Sequence, residues 1–219
     1  MRKIDKSHII STEYKVWESS LQGKHPNYTS SNHKFYYDIV MNLFHCQGGV
    51  CAYTEVLLCS EDYYSTNCWH NGKYTIDNPQ FFGALDHFDP ALKKNRAWAW
   101  DNLFMVQKDI NDKHKRESPV DDILKPDREG YDPFLLLEYD EKLHIFFANV
   151  NQEESLQERI NTMILTLGIN HSTIVKKRKE HLSSIFEKIN FISTWQEEET
   201  KNYQFFTALT MFKQMKQVD

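Results

Sequence analysis

No stretch of this chain approaches the roughly 20 consecutive apolar residues that a membrane-spanning helix needs. The opening Met1-Arg2-Lys3-Ile4-Asp5-Lys6-Ser7-His8 runs into polar text without the apolar core of a signal peptide. No membrane partner is therefore expected. An excess of positive charge is missing as well. A formal net charge of −5 and a pI near 6.1 argue against a protein that coats nucleic acid by charge alone. Cys46, Cys51, Cys59 and Cys68 are 5, 8 and 9 residues apart and contain no C-x-x-C pair, so they do not read as a zinc site by themselves. Isolated buried thiols fit better, and with the lack of a signal segment they place the chain in the cytoplasm. Internal repeats and low-complexity tracts are also missing.

What is present suffices for a core. With 219 residues, 40% hydrophobic and 14% aromatic, the chain is expected to fold as an α+β protein and not to be disordered. Three regions are expected: a helical lead-in over 1–47, a central module with an irregular insertion over 48–133, and a hairpin plus helices over 134–219. Tyr14, Trp17 and Leu21 mark an amphipathic stretch. Tyr36, Val40, Leu43 and Phe44 recur at helical spacing before the Gln47-Gly48-Gly49 break. Val50 to Leu58 reads as a strand and 60–80 as irregular. Phe81–Phe88 reads as a strand, Asp89–Asp101 as a loop and Leu103–Val106 as a second strand. A short helix follows, N-capped by Asp109 and running to Lys115. Phe134–Leu137 and Leu143–Phe147 suggest a β-hairpin around Tyr139-Asp140-Glu141-Lys142. Beyond Gln152 helical stripes follow: Leu156, Ile160, Met163, Ile164 and Leu167, with Gly168 as the stop, then Ile174, Leu182, Ile185 and Ile189. A last helix carries Phe205, Leu209, Phe212 and Met215, with Glu197-Glu198-Glu199 at its start.

Chemistry concentrates in one stretch. Asp86-His87 ends an apolar run, and Asn102 follows 15 residues after His87, then Asn111. A one-metal phosphodiesterase must activate a water, orient it and neutralise charge on the leaving oxygen. Histidine is largely neutral at cellular pH and able to take a proton. Magnesium asks for only a few hard oxygen ligands. Adjacent strand residues point to opposite faces, so Asp86 and His87 are expected to diverge unless the strand end is distorted. Three basic runs, Lys93-Lys94-Asn95-Arg96, Lys113-His114-Lys115-Arg116 and Lys176-Lys177-Arg178-Lys179, read first as solvated faces. Trp98 and Trp100 read as core. His25, His33, His45, His70 and His171 read as surface or satisfied core residues.

The lines Leu85-Asp86-His87-Phe88-Asp89-Pro90, Trp100-Asp101-Asn102-Leu103 and Asp109-Ile110-Asn111-Asp112-Lys113-His114, with Cys51-Ala52-Tyr53-Thr54-Glu55 upstream, resemble the HNH (ββα-metal) nucleases. The likeness is nearest to the PtuB-like HNH proteins that accompany an ABC-type ATPase in Septu and retron antiphage systems. It covers roughly Gly48 to Pro133. The resemblance implies a ββα-metal HNH module within the α+β fold, with His87 as general base and Asp86 and Asn111 as ligands of one Mg2+ or Mn2+. Asn102 would hold the base-bearing loop through backbone hydrogen bonds. His114, which stands where those proteins have lysine, would with Lys113 and Lys115 be the cations near the substrate phosphate. Of four zinc-binding cysteines in such proteins this chain keeps Cys51, while Thr54, Gln107 and Ile110 take the other places, so no structural zinc is expected. HNH domains of RNA-guided CRISPR nucleases are similar in lacking that zinc.

By the same resemblance the chain would be the effector of an antiphage complex with a PtuA-like ABC-type ATPase. It would act on DNA, or on RNA such as tRNA, with a retron reverse transcriptase and its RNA–DNA product as indirect partners. The C-terminal helices would form the docking face. The alternative is a catalytically silent HNH-fold adaptor of the same kind of complex.

Overall fold

The structure, a computed structural model, describes residues 1–29, 33–189 and 204–216. Helices and two-stranded antiparallel sheets make an α+β fold. The chain forms two units: the first holds Ile4–Ala52 and Leu57–Val120, the second Met1–Lys3, Tyr53–Val56 and Asp121–Asp219. Most of the lead-in, from Ile4 onward, lies in the same unit as the central motifs.

In the first unit, α1 (Thr12–Ser20) begins at Ser11, whose hydroxyl accepts from the Tyr14 amide at 3.4 Å and donates to Asp38 at 2.9 Å. Helix α2 (Tyr36–Gln47) buries Ile39, Val40, Met41, Leu43 and Phe44, apolar positions that face every direction, so it is a core helix and not a surface one. It stops at Gly48, which takes the left-handed conformation at φ 64°. The expected strand over Val50–Leu58 does not form. Val50 and Leu57 share a single bridge, because Glu55 at φ 60° turns the backbone and the Ala52 amide donates to Met105. The 60–80 region is irregular apart from two 3-10 turns (Glu61–Tyr63 and Thr66–Cys68) and a small hairpin, β1 (Trp69–His70) with β2 (Lys73–Tyr74).

Strands β3 (Ala84–His87) and β4 (Leu103–Val106) pair antiparallel, with Asp86 opposite Phe104 and His87 opposite Leu103. The first strand is shorter than Phe81–Phe88. It begins only after Gly83, which sits at φ 140° where a Cβ would stand 2.9 Å from the Val106 carbonyl oxygen. All four β4 side chains are buried, and each of Phe104 and Met105 contributes about 1.5–3 kcal/mol by leaving water. The far edge of β4 is met by the Ala52 amide and by one side chain. Gln47 accepts from the Met105 amide at 2.9 Å and donates to the Met105 carbonyl at 2.8 Å, as a neighbouring strand would. Gln107, not Asp109, caps α3 (Lys108–Ile110). A π-helical turn over Asn111–Lys115 continues it and is closed by the Arg116 amide to the Asn111 carbonyl at 2.8 Å.

In the second unit, Asp132 caps α4 (Pro133–Leu136), so Phe134–Leu137 is mostly helix where a strand was expected; proline at the first position and a capping carboxylate outweigh the apolar run. The hairpin is shifted: β5 (Leu137–Asp140) pairs with β6 (Ile145–Ala148), and His144 at φ 57° completes the turn. Helix α5 (Glu154–Thr166) buries Ile160, Met163 and Ile164 and ends beside Gly168, as its stripe predicts. Helix α6 (Ser172–Ile189) carries Arg178, which is buried. Its guanidinium donates to the His144 and Ile169 carbonyls at 2.7 Å each and lies over the rings of Phe146 and Phe205. Helix α7 (Phe206–Lys216) follows, and Thr207 donates to the buried Glu55 carboxylate. The acidic triplet Glu197-Glu198-Glu199 lies outside the described residues. Among the described residues no helix is long and apolar enough to cross a membrane.

Candidate active site

Strand β3 carries Asp86 and His87 at its C-terminal end, and the helical segment that follows β4 carries Asn111. All three line one cavity of about 350 Å³, together with Tyr28, Lys93 and Arg116. Asp86 and His87 do diverge, as neighbours on a strand should. The Asp86 carboxylate turns toward the helix, where the Lys115 ammonium meets its two oxygens at 3.2 and 3.1 Å. The His87 ring turns toward the loop, where Nε2 stands 2.8 Å from the Ala97 carbonyl. A carbonyl only accepts, so the proton sits on Nε2 and Nδ1 keeps its lone pair. Burial lowers the His87 pKa to about 4, with Lys93 and Lys115 adding to the effect and the Ala97 bond opposing it. The imidazole is therefore neutral at cellular pH.

Asn102 does not line the cavity. Its side chain clamps the loop that follows His87: Oδ1 accepts from the Asp89 amide at 2.8 Å, and Nδ2 donates to the Asp89 carbonyl at 3.0 Å. The Asn102 carbonyl also accepts from Phe88 at 2.8 Å. Asn102 is thus a positioning residue, acting through the backbone beside His87. The Ala97–Leu103 segment is held in turn by groups of the lead-in. Tyr14 donates to the Trp98 carbonyl at 2.7 Å, His25 accepts from the Trp98 amide at 3.1 Å, and Lys6 donates to the Trp100 and Leu103 carbonyls, the latter at 3.0 Å. Trp98 and Trp100 are core residues as expected. Trp98 backs Tyr28 at 5.1 Å between ring centres, and Tyr28 stands edge-on to His87 at the same distance.

The cations expected near phosphate sit in different places. Lys113 is exposed and pairs with Asp109 at 3.5 Å, while His114 is half-buried. Lys115 is fully buried, with a further contact of 2.7 Å to the His87 carbonyl, so it faces the strand and not solvent. The cations on the cavity wall are Lys93 and Arg116, joined there by Asp112 and Glu117. Arg116 is held at φ 49° and ψ −126°, a strained conformation for a side-chain-bearing residue, and its Nε donates to the Asp112 carbonyl at 3.0 Å. A second recess of about 530 Å³ shares Pro90, Lys93 and Glu117 with the first and adds Lys94. Arg96 is turned to Asp101 at 3.0 Å.

Sequence reasoning missed Tyr28, Lys6 and the burial of Lys115. For the first two the sequence gives no signal. For Lys115 one existed: it follows Asn111 by four residues on a helix and so returns to nearly the same face.

A divalent ion fits this site in donor chemistry. Asp86 and Asn111 are hard oxygen donors lining the same cavity, whose volume leaves room for waters and phosphate. Among the described residues no group of three His, Cys, Asp or Glu side chains gathers as a metal site, so an ion here would rest on one carboxylate and one amide. Cys51 Sγ accepts from the Gln107 amide at 3.2 Å, and Ile110 is buried. No model of a known protein family matches the chain, and none of the curated proteins compared with it matches either.

Proposed function

We propose that the chain is a metal-dependent endonuclease with a ββα-metal HNH site, hydrolysing phosphodiester bonds of DNA, or of RNA such as tRNA. One observation carries this reading. Asp86 and His87 on β3 and Asn111 on the following helix line a single cavity, while Asn102 clamps the intervening loop. His87, neutral and with its proton fixed on Nε2 by Ala97, offers Nδ1 to take a proton from an attacking water. Asp86 and Asn111 would hold one Mg2+ or Mn2+, which when bound supplies neutralisation of charge at the phosphate. Lys93 and Arg116 attract and orient the phosphodiester, and Tyr28 shields one edge of the imidazole from water.

The resemblance extends the proposal to an antiphage module paired with an ABC-type ATPase, and in a retron context to its reverse transcriptase and RNA–DNA product. All four cysteines are free thiols, which fits a cytoplasmic protein. For the partner, the second unit offers a recess of about 610 Å³ lined by Phe134, Leu137, Tyr139, Met211 and Met215, beside the exposed Leu135. Deleting 195–219, a span only partly within the described residues, is expected to abolish co-purification with the ATPase; an intact complex would contradict this docking face.

Lys115 on Asp86 favours a second reading, a silent adaptor whose carboxylate is permanently occupied. Incubating the purified chain with plasmid DNA and total RNA, with and without Mg2+ or Mn2+ and the ATPase, separates the two. The nuclease reading expects cleavage that His87→Ala reduces by about 100-fold or more. An effect in cells that survives His87→Ala favours the adaptor.

A further inference from the structure

The Lys115 ammonium already occupies the cation position at Asp86. It stands 3.2 and 3.1 Å from the two carboxylate oxygens and 2.7 Å from the His87 carbonyl, and the side chain is fully buried. Lysine is suited to this place, because its ammonium is a compact charge on a flexible stem that reaches a carboxylate as a small cation would. Asn111, four residues earlier on the same helical segment, lines the cavity into which Asp86 also opens. An ion bridging Asp86 and Asn111 therefore meets a carboxylate whose two oxygens Lys115 already contacts. Two cations cannot both take full benefit from one buried carboxylate; adding the second without moving the first leaves excess positive charge in a poorly solvated place.

Resting on the hydrolytic reading above, we infer that Lys115 is an internal competitor that a divalent ion displaces from Asp86, and that it sets the metal affinity of the site. The consequence is a site that stays poor in metal while idle.

The test is Mn2+ binding to the full chain without nucleic acid, followed by the electron paramagnetic resonance of free Mn2+. Lys115→Gln removes the charge and keeps a polar group for the His87 carbonyl; it is expected to bind at least tenfold more tightly than the unaltered chain, about 1.4 kcal/mol. Lys115→Arg keeps the charge and is expected to stay within about threefold of the unaltered chain. Adding Asp86→Asn to Lys115→Gln is expected to remove the gain. Equal affinity of Lys115→Gln and the unaltered chain, or no binding by either, overturns the inference. Should Lys115→Gln fail to fold, lysine-¹⁵N resonances of the unaltered chain decide. The hydrogen-bonded Lys115 ammonium should shift or vanish as Mg2+ is titrated to calorimetric saturation, and a signal unchanged at saturation overturns the inference. Hydrolysis is read nowhere in this test. A chain that binds Mn2+ as expected but cleaves nothing removes the nuclease reading alone, while a cleaving chain whose Lys115→Gln variant gains no affinity removes the competition alone.

Discussion

Arg178 in the second unit and Lys115 in the first are both buried cations, and they are held in opposite ways. Arg178 in the second unit is held by two backbone carbonyls and two aromatic rings, within a core where its burial lowers the guanidinium pKa to about 10. Lys115 in the first unit is held by a full carboxylate whose other side opens into a cavity. Fixed dipoles and ring faces have no use for another ion, so Arg178 joins β6, the turn before it and the end of α5 into one piece. A carboxylate beside open space accepts any cation that reaches it. A buried cation thus serves cohesion at Arg178, as Lys6 does in the first unit, while Lys115 sits on a carboxylate that the inferred ion would share.

The largest expected effect is at Arg178. Arg178→Met leaves the His144 and Ile169 carbonyls buried without a donor, at about 1–3 kcal/mol each, so the unfolding free energy should fall by about 3 kcal/mol or more. Mn2+ should not restore it. Lys115→Gln should also lower stability, yet Mn2+ at about 100 times its dissociation constant should return about 2.7 kcal/mol. Chemical denaturation of both variants with and without Mn2+ checks the pair, and rescue of Arg178→Met or failure to rescue Lys115→Gln breaks the contrast.

Next in size is the frame that presents Asp86. Asn102→Ala removes both side-chain bonds to Asp89 and should cost about 1–3 kcal/mol while lowering cleavage more than substrate binding, seen as a fall in kcat with little change in KM. Gly83→Ala forces a Cβ against the Val106 carbonyl at positive φ and should cost about 1–3 kcal/mol by thermal denaturation.

The smallest effect concerns acid and the second unit. Burial holds the His144 imidazole below its ordinary pKa, with Lys179 and Arg178 contributing, and its Nδ1 pairs with the Tyr139 hydroxyl at 2.7 Å. A depressed histidine is protonated first in the unfolded chain. Its contribution is therefore complete above about pH 6.5 and declines as pH falls through that value. Urea midpoints at pH 8 and pH 5.5 should differ less in His144→Gln than in the unaltered chain.

Much of this was legible in the sequence where one force dominates. The Ile160–Met163–Ile164 stripe with Gly168 gave α5, and the apolar run through Leu43 and Phe44 before Gly48 gave α2. The order Asp86, His87, Asn102, Asn111 was readable, while the loop-clamping place of Asn102 came only from the resemblance to the HNH nucleases. Local competition defeated other expectations. Val50–Leu58 has strand composition, but the left-handed Glu55 turns it, and Phe134–Leu137 lost its strand to the cap at Asp132. Runs of positive charge read as solvated faces, yet Lys115 and Arg178 are buried within two of them. Burial of a single charge depends on partners distant in sequence, such as Asp86 for Lys115 and His144 for Arg178, and composition does not record them.

The most direct test of the exchangeable charge at Asp86 is an anomalous difference map from crystals of the unaltered chain soaked in Mn2+. The account predicts a single peak between Asp86 and Asn111, with the Lys115 ammonium withdrawn from the carboxylate. Lys115 still seated on Asp86 at saturating Mn2+, with no peak in the cavity, would contradict it.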